Sequence, residues 1–512
     1  MYHRPAMPTF NFVRKSFYRD SVTLMRLSRD LEQMAGVSAA AAMMATPANR
    51  ALLEQAGLLS SEGAAAGAAD LIVAVEADCV ESADAAHEAV SRALLARRAS
   101  AAGGAGPAPR TLEAALRSLP DANLALISVP GLYAGAEARR ALRAGLHVML
   151  FSDNVPVETE IELKRLALER NLLMMGPDCG TAIVDGVPLG FANAVPRGRI
   201  GLVAASGTGL QEVTSVIARE GEGVSQALGV GGRDLADAVG APMMLRALEL
   251  LAGDTATEVV CVLGKPPGPG VARRLAAAVE RLGKPCVVHF PRATVAADAR
   301  CHVATTLEDA ARAAVALARG RAPKAVEFTC SPGDVERLVT EAARGLDGTQ
   351  RFVRGVYAGG TLAHEAVALL DARLRDVAAS LTAGGPGHRV VDLGEDMFTL
   401  GRPHPMLDGH VRREWIAREG RAADTAVLLL DVVLGSGTAA DPAGELLPAI
   451  RALRSTRHVA LVASVCGTDA DTPPRAAQAA ALRAAGVVVM DTNAQAVRLA
   501  AAIARRAGAP AR

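Results

Sequence analysis

Short apolar runs alternate with longer amphipathic stretches from one end of the chain to the other. The runs at 71–77, 124–130, 147–153, 200–206, 258–264, 285–290, 426–435, 458–465 and 486–492 are rich in Val, Ile and Leu. They are too short for helices, which predicts buried strands of parallel sheets. Between them, segments such as 137–145 and 270–283 carry Arg along one face and Ala or Leu along the other, as crossover helices require. The pattern predicts an α/β fold, built repeatedly.

Gly- and Pro-rich punctuation divides the pattern. A small-residue stretch at 100–110 reads as a linker, and AVPRGR (194–199) and RGRAPKA (319–325) mark further breaks. Four blocks follow: 1–105, a small N-terminal βαβ-type domain; 110–195; 196–320; and 325–512. The last two look like copies. RIGLVAASGTGLQEV is answered by RFVRGVYAGGTLAHEA, GVGGRDLADAVGAPMM by DLGEDMFTLGRPHPML, and DTATEVVCVLGKPPGPG by DTAVLLLDVVLGSGTAADP. A fused pseudo-dimer explains the repetition economically, although two doubly wound sheets can also drift into such matches.

Composition narrows the function classes. A chain of 512 residues has room for three or four domains at about 150 residues each. Its 55 Lys and Arg balance 54 Asp and Glu, and it has only 14 aromatic residues. Neither a field for tracking phosphodiesters nor a platform for stacking bases is on offer, so no nucleic-acid partner is expected. Arg4, Arg14, Lys15 and Arg19 interrupt the opening apolar residues, and no stretch reaches eighteen apolar residues, so a soluble, cytoplasmic protein with no membrane partner is expected. The seven cysteines are scattered without CxxC spacing and the ten histidines form no HxxxH pair, which predicts reduced core thiols and no metal site.

The repeated motif carries the chemistry. A strand that turns directly into a helix at Ser206-Gly207-Thr208 leaves the first helical N–H groups unpaired, and glycine lets an anion approach them. Gly359-Gly360-Thr361 builds the second copy, and Gly231-Gly232 and Gly435-Ser436-Gly437 follow strands and could line the same cleft. These are the candidate phosphate-binding residues. The plainer reading is helix capping by Ser and Thr, with Glu212 and Glu365 favoured by the helix dipole. In 110–195, Asn154, Asp178 and Cys179 fall in loops at the carboxyl ends of predicted parallel strands, where ligands of doubly wound sheets sit. They are candidate substrate contacts, with turn formation and a buried thiol as the alternatives.

GPDCGTAI, GRIGLVAASGTGLQEV and GVGGRD resemble the α-subunit of succinyl-CoA synthetase and related acyl-CoA synthetases. DSVTLMRLSRDLEQ, MMATPAN, YAGGTLAHEA, DLGEDMFTLGRPHPM, DVVLGSGTAADPAGEL and VASVCGTDAD resemble the FdrA family. The likeness covers nearly the whole chain. It implies a CoA-binding-type Rossmann domain at 110–195, with CoA the one cofactor suggested, and two flavodoxin-like ligase-type domains at 196–320 and 325–512. The helices opening at Ser206 and Gly359 would match the pair whose amino ends hold the phosphohistidine phosphate in the synthetases.

The departures from that family shape the functional expectation. The Gly-rich loop bearing the synthetases' phosphorylated histidine is replaced by PRATVAADARCHVATTLEDAA, in which His302 is the nearest histidine. Where the synthetases place a supporting Glu, this chain has Lys265, a cation suited to a free phosphate or acyl phosphate. Nor is there length for an ATP-grasp domain. Some FdrA-family proteins are understood as one subunit of an oxamate carbamoyltransferase in purine (allantoin) breakdown, working with separately encoded partner subunits. The resemblance thus implies carbamoyl phosphate or another acyl phosphate as substrate, an oligomer, and catalytic roles for Lys265, Ser206 and Thr208. An acyl-CoA ligase and a non-catalytic scaffold stay open as alternatives.

Overall fold

The computed structural model describes residues 7–17, 19, 21–100, 109–291, 300–378, 387–399 and 403–508. Most of the linker at 100–110 and of the stretch after Pro291 lies outside the described residues. The chain forms two compact units, residues 1–121 with 396–403, and 122–395 with 404–512.

In the first unit β1 (Thr9–Arg14), α1 (Ser21–Glu32), β2 (Val37–Met44), α2 (Pro47–Gln55), α3 (Ser61–Ala64), β3 (Leu71–Ala77), α4 (Val80–Ser100) and α5 (Leu112–Ser118) follow in order. The sheet order is β1-β3-β2, with β3 antiparallel to both neighbours. A βαβ unit is present, but β3 is inserted between its strands, and residues 71–77 are antiparallel where the sequence predicts a parallel strand. The cause is burial of both faces. Leu71, Val73 and Val75 pack with Leu24, Leu27 and Leu31 of α1 and with Val90 and Leu94 of α4, while Ile72 and Ala74 pack with Leu53 and Leu58. A strand covered on both sides reads as a continuous apolar run whatever its direction.

The second unit opens with β4 (Leu124–Ile127), α6 (Gly131–Arg143), β5 (His147–Leu150), α7 (Val157–Glu169) and β6 (Met174–Met175), a three-stranded parallel sheet in the order β4-β5-β6. It is the βαβαβ unit from which Rossmann-type sheets are built. The hairpin β7 (Thr181–Val184) and β8 (Val187–Gly190) leads into β9 (Arg197–Ala205), α8 (Gly207–Arg219), β10 (Val224–Gly229), α9 (Pro242–Gly253), β11 (Val259–Gly264), α10 (Pro269–Glu280), β12 (Cys286–His289), β13 (Cys301–Val303) and α11 (Leu307–Ala318). After α12 (Pro332–Ala343) come β14 (Phe352–Tyr357), α13 (Gly360–Asp371) and β15 (Arg389–Asp392). The short α14 (Asp396–Thr399) groups with the first unit. Then follow α15 (His410–Arg421), β16 (Thr425–Val433), α16 (Leu447–Thr456), β17 (Ala460–Cys466), α17 (Arg475–Ala484), β18 (Val488–Met490) and α18 (Asn493–Ala507).

The duplication is visible in the strand order. One sheet runs β13-β12-β11-β9-β10, extended by the β7–β8 hairpin, and the other β18-β17-β16-β14-β15. Each has the flavodoxin-like order 2-1-3-4-5, whose switch point lies at the carboxyl ends of its first and third strands. Helices α8, α11, α13 and α18 share one core, with Leu210, Val213, Leu362, Ala366, Val497 and Ala500 all buried in it. The alanines of α11 and α18 face that core, where small side chains let helices approach closely. Among the described residues no helix is long and apolar enough to cross a membrane.

Candidate functional site

The amino ends of α8 and α13 meet. Ser206 leaves β9 in extended backbone and its Oγ accepts the Gly209 N–H at 3.0 Å, so it does cap α8. The same oxygen lies 2.6 Å from Thr361 Oγ1, and the Thr361 N–H donates to Thr208 Oγ1 at 3.3 Å. Glycine permits the approach, because a Cβ at Gly359 would lie 3.2 Å from Thr208 Cγ2 and one at Gly209 would lie 3.1 Å from Thr361 Cγ2. Ser206, Gly207 and Thr208 are thus brought together with Gly359, Gly360 and Thr361. Thr181 joins them. Its Oγ1 is buried without a protein partner, 3.6 Å from where a Gly207 Cβ would stand.

Carboxylates occupy the α13 side. Asp431 of β16 accepts the Ala358 N–H at 2.9 Å and the Gly359 N–H at 2.8 Å, and pairs with Arg412 of α15 at 2.9 Å. Burial pushes its carboxyl up, while the guanidinium and the two N–H groups oppose that. Asp392, at the end of β15, is 3 % exposed, and its Oδ2 stands 2.6 Å from the Cβ position of Gly360, so a side chain there would have to displace the carboxyl. Burial pushes Asp392 up to about 7; the Gly394 N–H, donated at 2.9 Å, opposes this, Glu395 and Asp431 add to it, and Lys265 opposes it.

Lys265 is exposed and follows β11, whose last residue Gly264 pairs with Ala205 of β9. It therefore stands beside Ser206 at the switch point of the first sheet. His364, on α13, lies within its electrostatic reach; burial first, and Lys265 second, lower the imidazole. The site thus combines helix amino ends, one ammonium and one carboxyl poised near neutrality. Such a set stabilises a leaving anion and exchanges a proton.

Other expected residues have structural duties. Gly231 adopts φ +85° and packs on the Pro177 carbonyl, and Gly232 opens a 3-10 turn ending at Leu235. Asp234 of that turn binds Lys164 of α7 at 2.8 Å and accepts the Met244 N–H at 2.9 Å. Lys164, fully buried, also pairs with Glu160 at 2.7 Å. This turn is a latch between the β4–β6 sheet and the first flavodoxin-like sheet. Gly435 has φ +136° and a Cβ there would run into the Phe191 carbonyl, so the position needs glycine on both counts; the Ser436 N–H is taken by Ala192 O at 3.0 Å, and Gly437 follows at φ +79° near Phe191. Cys179 is buried, donates to Thr181 O and Gly229 O, and is pushed up to about 12 by burial, so it is a packing thiol. Asn154 and Asp178 hold positive φ in exposed loops after β5 and β6. His302 lies on the edge strand β13, 3.6 Å from Asp309, three strands from Ser206. Glu212 and Glu365 do not merely complement dipoles: Asn493 of α18 donates to Glu212 through its N–H at 3.2 Å and to Glu365 through Nδ2 at 2.8 Å.

Asp392, Asp431, Thr181 and His364 were not singled out by the sequence. Asp431 left a signal, being the sole charged residue in a fully buried nine-residue strand; Asp392 left none, because its neighbours come from other elements.

Comparison with known proteins places the chain. Residues 7–110 match the family model described as AllF, heavy metal-associated domain, and residues 356–503 match the CoA-ligase model. The chain is 37% identical to YahF of Escherichia coli (strain K12) over 503 residues, covering 94% of this chain and 96% of that protein. It is 31% identical to the mitochondrial succinate–CoA ligase [ADP-forming] subunit alpha-2 of Trichomonas vaginalis over 153 residues, 29% of this chain and 48% of that one, so the match spans about half of that relative. A dinucleotide-forming acetyl-coenzyme A synthetase of Ca. Korarchaeum cryptofilum aligns with a TM-score of 0.29 and 16% identity over 75% of this chain and 83% of that one. The metal in the first model's name finds no fitting donors here. Residues 7–110 hold a single cysteine, Cys79, and no group of three His, Cys, Asp or Glu able to hold a metal occurs among the described residues. With an AllF-type amino-terminal domain, a CoA-ligase domain and end-to-end likeness to YahF, the chain belongs to the FdrA family of succinyl-CoA synthetase α-like proteins.

Proposed function

We propose that this chain is the acyl-phosphate-handling subunit of a carbamoyltransferase that interconverts oxamate plus carbamoyl phosphate with oxalurate plus phosphate, in allantoin breakdown and together with separately encoded subunits. The observation that carries the reading is the junction of the α8 and α13 amino ends through Ser206, Thr208 and Thr361, with Lys265 at the neighbouring strand end. In the synthetic direction the oxamate amide nitrogen attacks the carbamoyl carbon. A C–N bond forms, the C–O bond to phosphate breaks, and the one proton that the nitrogen gives up is passed on to the departing oxygen, so that phosphate leaves as the hydrogen phosphate dianion. The helix end at Gly207 and Thr208 and the Lys265 ammonium stabilise the departing charge. Asp392 is the group suited to take the proton, since a carboxyl near 7 works as a base at neutral pH.

CoA is the substrate of the second reading, an acyl-CoA ligase, which the CoA-ligase match over 356–503 favours. Its phosphate carrier would be His302, on the edge strand β13. The deciding experiment assays the chain, alone and with the products of neighbouring genes, for phosphate-dependent cleavage of oxalurate and for CoA-dependent ATP turnover. Carbamoyl phosphate formation is expected. Failure with every combination of subunits removes the carbamoyl reading, and CoA-dependent turnover with a phosphorylated histidine replaces it by the ligase.

A further inference from the structure

His404 stands between Pro403 and Pro405, which carry no N–H. The chain turns behind it, with the Leu407 N–H donating to His404 O at 2.7 Å. In that turn the Met406 N–H reaches back to His404 Nδ1 at 3.2 Å. A backbone N–H only donates, so Nδ1 accepts and the ring proton sits on Nε2. Desolvation first, and the Arg412 guanidinium second, hold the imidazole down at about 4, so it is uncharged at neutral pH. The residue is partly exposed, and no hydrogen bond to Nε2 occurs among the described residues.

The Nε2–H faces a space that glycine keeps open. A Cβ on Gly394 would stand 2.8 Å from His404 Nε2, 3.1 Å from Ala358 O and 3.1 Å from Asp392 Oδ1. One donor and two acceptors therefore surround the missing side chain. The space adjoins the junction of helix ends described above. Asp392 also lies against Gly360, and Ala358 leads into α13. On the other side the His404 ring is 6.3 Å from that of Phe191, whose carbonyl accepts Gln211 Nε2 of α8 at 2.5 Å.

We infer, resting on the carbamoyl reading, that this space receives the carbamoyl group of the substrate, with His404 Nε2–H donating to its carbonyl oxygen and Ala358 O accepting from its amide nitrogen. His404 is then a catalytic residue, and Ala358 O sets the preference for carbamoyl over acetyl. A carbamoyl group carries one acceptor and a nitrogen with two donors, which complements this lining. An acetyl group would press its methyl on Ala358 O and leave that acceptor unmet. When the oxamate nitrogen adds to the carbamoyl carbon, the C=O pair moves onto oxygen, and it returns as the C–O bond to phosphate breaks. A donor already aimed at that oxygen stabilises the charge while it is there, and the imidazole keeps its own proton throughout.

The test is calorimetry on the full chain with three ligands, together with the ¹⁵N shift of His404 Nε2. The ligands are phosphonoacetamide, a carbamoyl phosphate analogue without the labile C–O bond; acetonylphosphonate, in which a methyl replaces the amide nitrogen; and inorganic phosphate. Phosphonoacetamide is expected to bind about tenfold tighter than acetonylphosphonate and to move the Nε2 resonance where phosphate does not. His404→Phe is expected to weaken phosphonoacetamide binding about tenfold while changing phosphate affinity less than about twofold, which also shows that the variant is folded. His404→Gln, whose amide accepts from Met406 and donates in place of Nε2, is expected to stay within about threefold of the parent. Where His404→Phe does not fold, the Nε2 shift decides, since it needs no variant. Equal binding of the two phosphonates, an Nε2 resonance that ignores phosphonoacetamide, or full affinity in His404→Phe overturns the carbamoyl pocket and leaves the acyl-phosphate reading standing. Binding of none of the three ligands by the parent removes both.

Discussion

Thr208 and Thr361 each offer a hydroxyl at a helix end, and a hydrogen bond to a charged acceptor contributes about 1.5–3 kcal/mol. Thr208→Val and Thr361→Val are therefore expected to weaken phosphate or carbamoyl phosphate binding about tenfold each, by calorimetry, with unchanged melting temperature. Unchanged affinity in both returns these residues to capping. Asp392 allows a stability test. Its folded pKa, near 7, is raised above the ordinary carboxylate value, so the stability held by the protonated form is complete below about pH 4 and lost as pH rises through 7. Asp392→Asn is expected to be more stable than the parent at pH 8, by at most about 4 kcal/mol, with the difference vanishing near pH 4 in urea melts. Little of this was legible beforehand. Glycine and threonine at 206–208 and 359–361 announce a helix start in one dimension, whereas Asp392 owes its raised carboxyl first to burial and then to Glu395 and Asp431, and that burial exists only once the sheets have folded.

Elements read from the sequence fared according to their burial. The strands β9, β11, β12, β16 and β17 carry apolar stretches long enough that they were legible as parallel strands. The strand β10 was not, because Ser225 and Gln226 interrupt it; Ser225 is accommodated by bonding Thr257 at 2.7 Å. The four-residue β15 is too short to signal anything. The loop after β16 was read as glycine-rich for a ligand, and its conformation gives another reason. Gly435→Ala is expected to cost about 1–3 kcal/mol through its positive φ and the Phe191 carbonyl, seen as a lower melting temperature, while phosphate affinity changes less than twofold. A larger loss of affinity would restore this loop to the anion site.

Across the second unit, buried charge ties the β4–β6 sheet to its neighbour. Removing one partner of such a network typically costs about 3–5 kcal/mol, because the others stay buried and uncompensated. Lys164→Met is expected to destabilise by that amount in denaturant melts, and adding Asp234→Asn and Glu160→Gln to recover part of it; an additive further loss would contradict the latch. Domain duplication was legible in the order of motifs, and the shared 2-1-3-4-5 strand order supports it. Yet the copies have diverged where they meet. Asp431 of β16 fills the start of α13 from within, while the equivalent strand β11 sets the neutral Leu263 and Gly264 beside Ala204 and Ala205, which lead into the corresponding turn. A charged guest at that junction has one preferred heading, negative group toward α8, so a twofold scaffold has become a one-way berth.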